Sequence, residues 1–136
     1  MDAFPINALK PRHAILSGAP GRASIAILMQ PFLWQAEIVD TAIRLDGIEL
    51  PSVHLADLAG RSFAFPVNPA QDAIDGSIYL GGAHHPVDVT ALDFARARDG
   101  GLSVIVKGVY VFEFEGLANL RDTPFTFGAP VSSRAI

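Results

Sequence analysis

The chain has 136 residues and a formal net charge of −4, from ten Lys and Arg against fourteen Asp and Glu, a length that suits one domain with a real core and leaves little room for a second. It contains no cysteine, which excludes disulfides, thiolate zinc sites, iron–sulfur clusters and cysteine nucleophiles. Half of the residues are hydrophobic and only 18% are charged, with a mean hydropathy of +0.34, yet no apolar run approaches the roughly 20 residues of a membrane helix and the few cations form no basic patch for nucleic acid.

Residues 1–21 carry Pro5, Pro11, Pro20, Gly18 and Gly21, which interrupt regular structure. The expectation is an irregular segment with a short strand at 13–16. No positively charged start precedes an apolar core, so no signal peptide is expected and a cytoplasmic location is the default. In RASIAILMQ, residues 22–30, Ala23, Ile25, Ile27 and Met29 share one face of a strand that Pro31 ends.

The segment EIVDTAIRLDGIELP places Asp46-Gly47 between two alternating runs. Asp-Gly suits a two-residue type I′ turn. A hairpin about it pairs Leu45 with Ile48 and Ile43 with Leu50 on one face, and Arg44 with Glu49 on the other. Residues 52–60 read as one or two helical turns, started by Ser52 and stopped by Gly60. Phe63, Phe65 and Val67 alternate in a strand that Pro66 confines to an edge. In SIYLGG, Ile78 and Leu80 point inward and Tyr79 outward.

Residues 86–115 form a second hairpin about RDGG. Its return strand puts Leu102, Val104, Val106, Tyr110, Phe112 and Phe114 on one face. Gly108 marks a bulge or bend, because fourteen extended residues would span roughly 46 Å. A loop at 99–101 pairs Phe94 with Val106, whereas Val89 suits Tyr110 and Val87 suits Phe112. These registers differ by one residue, so a bulge is expected near 90–91; a helix over 91–98, capped by Thr90, is the alternative. A last strand carries Phe125 and Phe127, followed by a tail.

Chemistry is sought first in GGAHHPVDV. Adjacent strand residues face opposite ways, so His84 and His85 cannot share a metal in a strand. Asp88 falls on the face of His84 but about 13 Å along it. These spacings nominate no catalytic residue, no metal and no cofactor. Tyr79, His84, His85 and Asp88 are the candidates for contact with a ligand or partner. Ile105, Val109 and Val111 make the outer face of the long strand apolar, and are the candidate interface. There is no phosphate-binding glycine loop and no nucleophile elbow.

The fold expected is mostly β: a single antiparallel sandwich, with a closed barrel as the alternative and at most one or two short helices. The function expected is a non-enzymatic interaction or assembly module, with a protein partner or self-association to a homo-oligomer, and with neither nucleic acid nor membrane as partner. A barrel or sandwich holding a small apolar ligand, with Tyr79, His84 and His85 at its mouth, is the second reading. A hydrolase or metal enzyme using His84 or His85 is the third.

Overall fold

Period-two alternation becomes ten strands in the computed structural model, which describes residues 4–117 and 120–134. They are β1 (Pro11–Ala19), β2 (Arg22–Met29), β3 (Phe32–Trp34), β4 (Glu37–Val39), β5 (Ala42–Ile48), β6 (Ser62–Ala64), β7 (Asp75–Leu80), β8 (Ala83–Arg96), β9 (Leu102–Tyr110) and β10 (Thr123–Ser133). One short helix, α1 (Leu55–Leu58), lies between β5 and β6. Seven strands close on themselves in the order β8-β7-β5-β2-β1-β10-β9, and β9 returns to β8. The fold is therefore a closed barrel, and the sandwich expectation is corrected. Two features close it. The 14-residue β8 bonds β9 along one edge and β7 then β6 along the other. The N-terminal β1 takes the C-terminal β10 as a parallel neighbour, from Ala14↔Val131 to Leu16↔Ser133. Closure removes the exposed edges that a sandwich would leave.

The expected Asp46-Gly47 hairpin is a bulge inside β5. Ile25 faces Leu45 and Ala23 faces Ile48, so Ser24 alone opposes Asp46 and Gly47. Gly47 supplies the left-handed residue, φ +66°, that such a bulge requires. The Ser24 hydroxyl donates to Asp46 Oδ1 at 2.8 Å. A bulge shifts the side-chain phase by one residue, as a two-residue turn does. Ile43, Leu45, Ile48 and Leu50 are thus all buried, as the alternation requires.

The loop between β8 and β9 is 98–100 and not 99–101. The Ala97 N–H donates to the Gly101 carbonyl, and Gly100 takes φ +87°, the left-handed position of a three-residue hairpin loop. Phe94 consequently faces Val104, and Val87 faces Tyr110. A two-residue slip preserves every face, so the buried set is unchanged. The bulge at Thr90 is present, with Val89↔Gly108 followed by Ala91↔Lys107, and 91–96 is strand, not helix. β1 is longer than the strand expected at 13–16. β9 stops at Tyr110, which removes Phe114 from its inner face.

Aliphatic side chains fill the interior: Leu16, Ile27, Ile43, Leu45, Val87, Val104 and Val106 are fully buried. Strand directions send the β2–β3, β4–β5, β7–β8 and β9–β10 connections to one end, here the upper end, where residues 4–10 also lie. The lower end is closed by α1, with Leu58 buried, and by Phe63 packed edge-on against Phe94 at 6.1 Å. An aromatic plug closes the upper end: Phe4 meets Trp34 at 4.9 Å, Phe32 at 5.8 Å and Phe112 at 6.2 Å. No helix among the described residues is long and apolar enough to cross a membrane.

Candidate interaction surface

The four residues nominated within and beside GGAHHPVDV do not converge. Tyr79 and His84 sit opposite each other on β7 and β8. Their rings meet edge-on at 4.8 Å on the outer wall. His85 points inward and is 1% exposed. Its Nε2 lies 2.9 Å from the Leu80 carbonyl, which only accepts, so Nε2 is the donor of that bond. Asp88 lies on the outer wall and accepts from Asn68 Nδ2 at 3.2 Å. Among the described residues no three His, Asp or Glu side chains gather closely enough to hold a metal ion.

Ile105 and Val109 face outward from β9, and Val111 follows its end, with its N–H donating to the Pro86 carbonyl. Ile105 is 42% exposed, and Val109 and Val111 are half-buried. Leu28 is a further apolar residue on the outer face, but it lies on β2, with β1 and β10 between. That apolar face is therefore not continuous.

The upper end carries what those residues lack. β3 and β4 form a separate hairpin joined by Gln35-Ala36. Both turn residues are left-handed, at φ 53° and 63°. A tight hairpin needs positive φ at both positions, but Asn and Gly normally supply it, and each other residue is strained by about 1–2 kcal/mol. On the hairpin's inner face Phe32, Trp34 and Val39 pack on the core. On its outer face Leu33 and Ile38 are directly paired and are 64% and 69% exposed. Sequence reasoning misses this hairpin because Gln-Ala is no turn signal. The available cue is the apolar triplet FLW and the apolar pair Ile38-Val39, on either side of Gln35, Ala36 and Glu37.

The second segment is the turn at 112–117. Phe112 and Leu117 are buried, and Phe114 between them is exposed. Glu113 and Asp122 fasten the loop reciprocally: each backbone N–H donates to the other's carboxylate at 3.1 Å. Phe114 is thus held out in the solvent by a closed turn.

Beneath these segments lie three buried side-chain polar atoms without a hydrogen-bond partner among the described residues: Trp34 Nε1, His85 Nδ1 and Tyr110 Oη. All three belong to the plug. His85 meets Phe112 edge-on at 5.6 Å, and Tyr110 stacks on Phe112 at 5.1 Å and on Phe125 at 4.4 Å. Each such atom forfeits about 1–3 kcal/mol. Burial also pushes the Tyr110 phenol far above its ordinary pKa. Compared with known proteins, the chain matches no family model, no curated protein and no solved structure.

Proposed function

We propose that the chain is a non-enzymatic protein-interaction module that engages its partner with the upper end of the barrel. The observation that carries this is a coincidence of costs at one end. Among the described residues, four of the six exposed large hydrophobics, Leu33, Ile38, Tyr79 and Phe114, lie on or beside it. So do the strained Gln35-Ala36 turn and all three unpartnered buried polar atoms. Departures of this kind concentrate where a surface serves something other than stability. Tyr79 and His84 stand at the margin of this surface and His85 lies beneath it. Asp88, Ile105 and Val109 are on the barrel wall.

The rival readings find less support. An apolar ligand would have to displace packed aliphatic side chains from the interior. A metal or hydrolytic site would need groups that the barrel wall separates, since His84 faces out and His85 faces in. The proposal is cytoplasmic by default, because nothing in the composition calls for an oxidising compartment.

A photo-activatable residue placed in turn at Leu33, Ile38 and Phe114, and at Ile105 as the wall control, tests the reading in cells. Discrete protein adducts are expected from the three upper-end positions. The Phe114 adduct should disappear when Leu33→Ser and Ile38→Ser are combined in the same chain. Equal adducts from Ile105, or none from the upper end, would remove this reading.

A further inference from the structure

Resting on that reading, we infer that the partner is a basic polypeptide segment bearing apolar side chains, seated in the groove between the β3–β4 hairpin and the turn joining β7 to β8. Ile38, Tyr79 and Trp34 give the groove its apolar walls, and Glu37 and Asp40 stand among them. Its remaining lining residues include no Lys or Arg. The groove holds about 430 Å³, toward the small end of the roughly 300–1,000 Å³ of ligand pockets. That is room for a few side chains of one segment, not for a folded domain. The turn beside it is Gly81-Gly82, and a side-chain carbon at Gly82 would meet nothing within 4 Å, so the approach is open.

Charge selects the occupant. Residues 30–41 and 111–117, which carry Leu33, Ile38 and Phe114, contain Glu37, Asp40, Glu113 and Glu115 and no Lys or Arg. Carboxylates at the rim of an apolar wall focus a negative potential. A second copy is disfavoured, because a twofold contact would set the same carboxylates against one another. Phosphate backbones and anionic lipid surfaces are repelled for the same reason. A lysine- or arginine-bearing segment with aliphatic neighbours satisfies both the walls and the rim.

Fluorescence anisotropy on the full chain with three labelled twelve-residue peptides tests this: alternating Lys-Leu, Glu-Leu and Lys-Ser. Lys-Leu is expected to bind best and to weaken as salt rises. Its Kd should increase about tenfold when Glu37→Gln and Asp40→Asn are combined, the effect of two rim charges worth together about 1.4 kcal/mol. Ile38→Ser should weaken Lys-Leu as well, and each variant's melting curve shows whether the barrel is intact. Glu-Leu binding as tightly as Lys-Leu, with Ile38→Ser abolishing both, overturns the basic partner while leaving the interaction surface standing. Indifference of every peptide to Ile38→Ser overturns both. Concentration-dependent dimerisation lost in the Leu33→Ser, Ile38→Ser double variant also overturns it, because the occupant is then a second copy.

Discussion

At the scale of single residues, two positions on β9 carry separable predictions. Gly108 faces Val89, and a side-chain carbon there would be driven into the Asp88 carbonyl. Backbone cannot yield as a flexible side chain does, so Gly108→Ala should destabilise by about 2 kcal/mol or more in chemical denaturation. Gly47→Ala, where nothing lies within 4 Å, should lose only about 1 kcal/mol of backbone preference. Tyr110 buries a hydroxyl with no partner among the described residues, so Tyr110→Phe should leave stability unchanged or raise it by about 1 kcal/mol. The same phenol has a folded-state pKa raised by burial. Above about pH 10 the unfolded chain ionises Tyr110 and the folded one does not, so the unfolded state binds fewer protons. Stability should therefore fall by about 1.4 kcal/mol per pH unit there. That component should be missing from Tyr110→Phe in matched denaturation series; identical slopes in the two proteins would contradict it. Much at this scale is legible in the sequence. Strand parity alone sets His84 and His85 on opposite faces, and the length of the β9 run marks Gly108 as special. What is illegible is the cause: a carbonyl brought in by another strand.

At the scale of elements, two of the positive-φ sites teach opposite lessons. Asp46-Gly47 has hairpin chemistry and forms a bulge; Gln35-Ala36 lacks it and forms the hairpin. Turn residues reveal where a left-handed backbone is tolerated, not whether the chain reverses there. At Gln35-Ala36 the packing of Phe32, Trp34 and Val39 on the core overrides local preference. Replacing the pair by Asn-Gly should remove that strain and stabilise the hairpin by about 1–2 kcal/mol. Slower exchange of the β3 and β4 amides is the measurement, and unchanged or faster exchange would count against a strained turn. The β8–β9 register shows a milder limit. Alternation identifies the buried face, but a slip of two residues leaves it unaltered, so only Gly100 at its left-handed position decides between the two loops.

At the scale of the molecule, all-β character, the buried set and the surplus of apolar surface are legible, whereas closure is not. The bond between first and last strands joins residues 14–16 to 131–133 in parallel, and no periodicity reports which strands are neighbours. Closure makes the C-terminal segment structural, since Ala129 and Val131 are buried and His13 Nε2 lies 2.8 Å from the Ser132 hydroxyl. Deleting residues 129–136 should abolish cooperative unfolding, as followed by circular dichroism. A truncated chain that still melts sharply would argue against a closed barrel. The candidate surface is less legible than the core, because Leu33, Ile38 and Phe114 belong to a three-residue-strand hairpin and a turn, too short for alternation to report a face. The proposed interaction surface lies at the upper end, and amide chemical-shift mapping during titration with the Lys-Leu peptide tests that most directly. Shifts should cluster in residues 32–40, 79–84 and 112–117. Shifts confined to the wall around Ile105 and Val109, or to the lower end about α1, would contradict the account.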